Sequence, residues 1–167
     1  MIEDTLITGL ISAVPFIELR GAVPYGIICA GLNPITIFLV AVVVNIVIIP
    51  AIFLFLDLFL EEISKFSSFG KIVRGLMDKA HERTKKYVDS YGVLGLTLFV
   101  AIPLPVTGAY TGTLAAYVLE MDRKRAMLAI ATGVIIAGII VTLLSTVFYH
   151  YTSNSFLSHF LGRFGCK

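Results

Sequence analysis

The sequence predicts an all-α integral membrane protein. It reads as an inverted repeat of two re-entrant, broken helical hairpins, each followed by a transmembrane helix and joined by an amphipathic cytoplasmic helix. Three observations carry this reading: a bilayer-like composition, two apolar segments interrupted at their middles, and the placement of the basic residues. The 167 residues are 57% hydrophobic and 14% charged, with a mean hydropathy of +0.93, whereas a soluble domain carries about 25% charged residues. A chain of this length has no soluble core large enough to hide such runs.

The apolar segments are Leu6 to Leu32, Ile35 to Leu60, Tyr91 to Leu119 and Ala126 to Tyr149. The second and fourth exceed the roughly 20 residues needed to cross a hydrocarbon core of about 30 Å, so each predicts a spanning helix. Asn45 and Pro50 interrupt the second, and Ala129, Gly133 and Ala137 form a small-residue ridge in the fourth that predicts close helix packing.

The first and third segments contain what a straight membrane helix avoids. Pro15, Glu18, Arg20 and Pro24 interrupt one; Pro103, Pro105 and Gly108 interrupt the other. An interior proline removes a helical hydrogen bond and clashes with the preceding turn. Irregular backbone at membrane depth survives only when protein shields it or it lines a wet cavity. Each segment is therefore expected to be two half-helices around a tip, with Pro15, Gly21 and Pro24 shaping the first tip and Pro103, Pro105 and Gly108 the second. The tips resemble each other: Ala13-Val-Pro15 answers Ala101-Ile-Pro103, and Gly21-Ala-Val-Pro-Tyr-Gly26 answers Gly108-Ala-Tyr-Thr-Gly112. An internal repeat explains this, and the chain divides into a single membrane domain of 1–167: repeat 1 at 5–60, connector at 61–90, repeat 2 at 91–150 and a tail at 151–167.

Charge placement selects re-entry over crossing. The connector carries Lys65, Lys71, Arg74, Lys79, Arg83, Lys85 and Lys86, and the loop at 120–125 carries Arg123, Lys124 and Arg125. Short basic loops stay cytoplasmic, so both flanks of the third segment lie on one face. Acidic Glu3 and Asp4 precede the first segment and the uncharged Asn33-Pro34 follows it, which places that hairpin's ends and both termini outside. Within the connector, apolar residues from Ile63 to Val88 recur at spacings of three and four opposite the cations, as in a helix lying at an anionic lipid surface. A solvated linker helix has the same pattern. The acidic start, Met1-Ile-Glu-Asp-Thr, lacks the cationic opening of a signal peptide, and Cys29 and Cys166 are too few to suggest a disulfide framework.

Glu18 and Arg20 are the formal charges within the first segment, and a charge near the bilayer centre costs about 2.5 to 3.5 kcal/mol on insertion scales. On a helix they would point to nearly opposite faces, whereas an extended tip between Pro15 and Pro24 lets them share a cavity. There Glu18 serves as a proton or cation site and Arg20 holds an anionic group, or else the two form an ion pair that locks the tip. Pro24 is expected to begin one outgoing half-helix and Thr107 to cap the other, exposing backbone N–H groups that attract anions. Tyr25, Tyr110, Thr111 and Thr113 offer hydroxyls, with a packing role as the alternative for each, and Asn45 is expected to bond to the neighbouring tip. The candidate substrate or ion site is thus Glu18, Arg20, Thr107, Tyr110 and Asn45. No catalytic site, cofactor or metal site is predicted: His81-Glu82 lacks a second histidine at zincin spacing, and neither a nucleophile elbow nor a phosphate loop occurs. The basic residues flank membrane segments, so the expected partners are lipids and a small-molecule, ion or lipid-phosphate substrate, not nucleic acid. A homodimer would close a cavity, although no residue pattern demands one.

At Glu18-Leu-Arg20-Gly-Ala-Val-Pro24 and Pro103-Leu-Pro105-Val-Thr107-Gly-Ala, and over nearly the whole chain, the sequence resembles the family of small multidrug export proteins. That family is regarded as distantly related to the DedA and SNARE-associated membrane proteins. The resemblance implies inverted re-entrant hairpins and a transporter-like or lipid-handling role, with Glu18, Arg20 and the tip prolines and glycines carrying over. Thr107 stands where a charged residue of a DedA-type second half is expected. The leading expectation is a cell-membrane transporter, proton- or ion-coupled, moving a small or anionic substrate through a midplane site between the tips. Alternatives are a phospholipid or polyprenyl-phosphate flippase or scramblase and a non-transporting scaffold.

Overall fold

The computed structural model describes residues 2–64, 92–104 and 107–153, and these are helical with no strand among them. In order they form α1 (Ile2–Ser12), α2 (Glu18–Pro24) running into a π-helical turn (Tyr25–Cys29), α3 (Pro34–Ser64), α4 (Gly92–Ala101), α5 (Ala109–Val118) and α6 (Arg123–Ser153). At 1.5 Å per residue, α1, α4 and α5 are each about 15 Å long, half the thickness of a hydrocarbon core, whereas the 31 residues of α3 and of α6 reach about 46 Å. The order of short helix, break, short helix, long helix thus occurs twice.

Both breaks fall at the predicted prolines. α1 ends at Ser12, and Pro15 sits in the turn Ala13–Ile17. α4 ends at Ala101, Pro103 lies in the following irregular stretch, and Gly108 precedes α5 as its N-cap residue. Pro105 lies outside the described residues, as do the tail beyond Ser153 and the connector beyond Ser64, where α3 ends.

The first break is shorter than expected. Gly21 and Pro24 lie inside α2, not in an extended tip, and the outgoing half-helix starts at Glu18 instead of Pro24. The turn is closed by backbone that has left the ordinary helical region: Phe16 has φ 71° and Glu18 φ 50°, a left-handed conformation costing roughly 1–2 kcal/mol per non-glycine residue. That reversal lets the helix resume only three residues after Pro15. Pro24 acts at the other end of α2. Having no N–H to bond Arg20, it breaks the ladder at the point where the chain passes into the π-helical turn, in which the Ala30 N–H bonds Tyr25 O at 3.0 Å. Cys29 is the last residue of that turn.

The long helices begin with matched devices. Asn33 Oδ1 accepts from the Ile35 and Thr36 N–H groups at 2.9 and 3.3 Å, with Pro34 as first helical residue. Asp122 Oδ1 likewise accepts from the Arg125 N–H at 3.0 Å ahead of α6. Pro34–Phe59 and Arg123–Tyr151 are long and apolar enough to cross a membrane, with mean hydropathies of 3.1 and 2.6 over their most apolar stretch and only about a third of it buried (33% and 39%). Ile35, Leu39, Val43, Val47, Leu54 and Leu58 leave one face of α3 bare. Such a stripe is out of place in water and suits lipid tails.

The short helices pack on the long ones. A side chain at Gly9 would touch Val40, the Ser12 hydroxyl donates to Ala41 O at 3.3 Å, and Gly26 lies under Ile37. α1 therefore runs alongside the first half of α3, and α2 with its π-helical turn returns to the end at which α3 starts. Ser12 and Asn45 meet about 17 Å along α3 from Pro34, close to the middle of its apolar span. In the second half, Val100 of α4 lies against both Gly112 of α5 and Gly133 of α6. The predicted ridge of Ala129, Gly133 and Ala137 is buried in this packing, with Ala129 and Ala137 in the shared core beside Leu19, Val23, Ile27, Ile49 and Ile130.

Candidate functional site

The two breaks face each other and are stitched together by side chains, each bond joining a group to the helix end of opposite polarity. Glu18, 4% exposed, reaches across to α5: its Oε2 accepts from the Ala109 N–H at 3.3 Å and its Oε1 from the Tyr110 N–H at 3.1 Å. A carboxylate at a helix amino end satisfies orphan donors and complements the helix dipole. Gly108 makes the approach feasible, because a Cβ there would overlap the Glu18 carboxylate. The Thr111 hydroxyl satisfies the remaining nearby donor, accepting from the Gly108 N–H at 2.9 Å.

Arg20 performs the complementary task. Its guanidinium donates to Leu104 O and, at 3.5 Å, to Ile102 O, carbonyls that follow α4. Thr107 donates to the same two carbonyls at 2.8 Å (Ile102) and 3.0 Å (Leu104). Tyr110 closes the circuit in the opposite direction, its hydroxyl donating at 2.6 Å to Ala13 O, just past the end of α1. Glu18 and Arg20 thus place their hydrogen bonds on opposite helix ends of the second tip and not on each other.

Two expectations change. Thr107 does not cap α5. It caps the end of α4, because Glu18 already occupies the α5 amino end from across the interface. The α5 amino end is likewise no open anion site in this conformation, since its free donors are held by the chain's own carboxylate. Asn45 does bond the neighbouring tip, its Nδ2 donating to Ser12 Oγ at 2.6 Å and within 3.3 Å of Ser12 O. Thr113 bonds Ala109 O inside its own helix at 2.6 Å, and Tyr25 opens the π-helical turn.

Two features escaped the sequence reading. Ser12 is fully buried at the first break, and the available signal was a small polar residue just ahead of Ala13-Val-Pro15. Asp57 forms a two-pronged pair with Arg123 at 2.7 and 2.9 Å, with the guanidinium 5.9 Å from the Phe53 ring. The pair ties the end of the α3 span to the start of α6. Separated by 66 residues, these two had no local signal.

Beside the tips lies an apolar cleft of about 470 Å³, lined by Pro15, Phe16, Ala51, Ile52, Phe55 and Leu114, with Tyr110 and Thr111 at its edge. Phe16, Tyr110 and Thr111 also border the small polar pocket at Glu18, Arg20 and Thr107. An apolar recess thus abuts the buried Glu18 carboxylate and the half-buried Arg20 guanidinium.

No curated protein and no solved structure matches the chain. The model of one family, described as putative small multi-drug export protein, matches residues 18–140, from the Glu18 that bridges the breaks into the last long helix. That match spans most of the chain, which therefore belongs to the small multi-drug export protein family.

Proposed function

We propose that the protein is a cell-membrane exporter in which substrate passes between the two broken hairpins, with Glu18 as the group whose release couples substrate to a proton or another ion. The observation that carries this reading is the Glu18 carboxylate, buried in the tip-to-tip contact and holding the amino end of α5 beside an apolar cleft. Ionisable residues buried in membrane segments are rare and mark functional sites, substrate and ion pathways among them. This one accepts its hydrogen bonds from two backbone N–H groups, so a proton on Glu18 would weaken both bonds and free the end of α5. The substrate's apolar body would lie in the cleft. Its polar group would compete either for Glu18 or, once Glu18 is protonated, for the α5 N–H groups and Arg20.

Re-entrant hairpins related by inversion fit the same reading. α1 starts and α2 ends where α3 begins, whereas Tyr117, near the end of α5, lies beside Phe53 toward the far end of the α3 span. The first hairpin would open outside with the termini, the second toward the cytoplasmic connector 61–90. Alternating access would come from one tip rocking against the other.

The test is efflux from proteoliposomes under an imposed pH or sodium gradient, with ethidium and carboxyfluorescein as cationic and anionic probes. Native protein should speed one probe above the protein-free rate, and Glu18→Gln and Arg20→Ala should abolish the increase. Equal flux with and without protein, or full flux through Glu18→Gln, would overturn the proposal.

A further inference from the structure

Where the end of α1 meets the middle of α3, the polar groups do not add up. Asn45 and Ser12 are both fully buried. The Asn45 amide nitrogen has three oxygens around it, Ser12 Oγ at 2.6 Å, Ala41 O at 2.9 Å and Ser12 O at 3.3 Å, although an amide carries only two hydrogens. Its carbonyl oxygen is buried with no partner at all. Reversing the amide would not mend this: the Ser12 hydroxyl could donate to the oxygen set there, but that oxygen would still face the carbonyls of Ala41 and Ser12, and the NH₂ would take the place that has no partner.

We propose that this cluster is a sodium-ion site, formed by Ser12 Oγ, Ser12 O, Ala41 O and, after rotation of the amide, Asn45 Oδ1. Without the ion, the Asn45 NH₂ group stands in the middle of the oxygens as an internal surrogate for the cation. With the ion, the amide turns over and its orphaned oxygen becomes a ligand.

Three observations select the ion. Every donor is an uncharged hard oxygen, which suits a monovalent cation, whereas calcium sites draw on carboxylates to balance the second charge. The Ser12 Oγ to Ala41 O separation is 3.3 Å, close to the edge of about 3.4 Å for an octahedron with oxygens at about 2.4 Å, and longer than the edge of about 2.9 Å that magnesium's shorter bonds require. Finally, Ser12 is the last residue of α1, so its carbonyl belongs to the electronegative end of a half-helix lying at the middle of the α3 span, where such ends hold cations. Ala13, the next residue, accepts the Tyr110 hydroxyl from the second tip. An ion bound here would therefore stiffen the first tip on the side that faces Glu18. The binding site stands apart from the export reading, whereas its use as a coupling ion rests on that reading.

The experiment is thermal unfolding of the full chain in detergent, with sodium chloride raised from 1 to about 100 mM against choline chloride at constant ionic strength and with potassium chloride as a third arm. Binding to the folded state raises the melting temperature with the logarithm of ligand concentration, so native protein should gain several degrees in sodium and none in potassium over choline. Ser12→Ala, a small change that keeps the fold, should lose most of the sodium response. Asn45→Asp, which supplies an oxygen and a charge, should shift the response to at least tenfold lower sodium. A native melting temperature indifferent to sodium, or a Ser12→Ala response equal to the native one, would overturn the proposal. Because the readout is stability, failure here leaves the efflux result untouched, and loss of efflux leaves the sodium response to be measured.

Discussion

Replacing Gly108 by alanine is the sharpest perturbation of the tip-to-tip contact. A Cβ at this position would overlap Glu18 Oε2 and lie only 2.6 Å from Cδ and 2.7 Å from Oε1, so the carboxylate must leave the α5 amino end. Gly108 itself has an extended φ of 171°, which alanine tolerates, so the effect is steric and not conformational. Two hydrogen bonds to a charged group are lost. At roughly 1.5–3 kcal/mol each, and taking the low end for bonds of 3.1 and 3.3 Å, the loss is about 3 kcal/mol, or about two decades in the unfolding equilibrium. Reversible unfolding in mixed micelles measures it. Gly95→Ala in α4 provides the control: nothing lies within 4 Å of its added methyl, and relief of backbone entropy should stabilise by about 0.5–1 kcal/mol. In combination with Glu18→Ala, Gly108→Ala should become nearly neutral, because the group it strikes has gone. A Gly108→Ala protein within about 0.5 kcal/mol of native, or a double variant in which the two effects simply add, would refute the reasoning.

Three further outcomes are expected. Gly133→Ala drives a methyl to 2.7 Å from Val100 Cβ and 2.8 Å from the Thr97 carbonyl, prising α6 from α4, and should cost about 1–3 kcal/mol in the same unfolding assay. Tyr110→Phe removes the hydroxyl from Ala13 O while the Tyr110 N–H still holds Glu18, so stability should fall by about 0.5–1.5 kcal/mol; no measurable loss would mean that the ring, not the hydroxyl, joins the tips. Cysteines placed beside Lys85 and Lys124 should label from the same, cytoplasmic, face of sealed vesicles, and labelling from opposite faces would restore a full crossing in the second half.

How much of this was legible in the sequence depends on the reach of each interaction. The long apolar runs, the breaks at Pro15 and Pro103 and the packing ridge of Ala129, Gly133 and Ala137 were legible because each follows from local rules: hydropathy over a window, a missing N–H, a spacing of four. The membrane-type surface follows from the same local composition. Glu18 and Arg20 stood out for the same reason, as charges in an apolar run. What they bind did not. Glu18 meets Ala109 and Tyr110 across 91 and 92 residues, and Arg20 meets Leu104 and Ile102 across 84 and 82. Backbone groups are present in every residue, so nothing in a one-dimensional pattern marks which carbonyl or N–H a distant side chain will find. For the same reason Thr107 was assigned to α5 when it caps the end of α4, and Asp57 and Ser12 were passed over. The extended tip failed for a local reason that the sequence conceals: Phe16 and Glu18 accept left-handed backbone without a glycine to announce it, which brings Glu18 and Arg20 onto a helix and turns them toward different helix ends. The sequence by itself therefore determined where the chain breaks and which surfaces suit lipid. Only the tertiary structure decided that the two breaks complete each other, because the groups they exchange become neighbours only once both halves are folded.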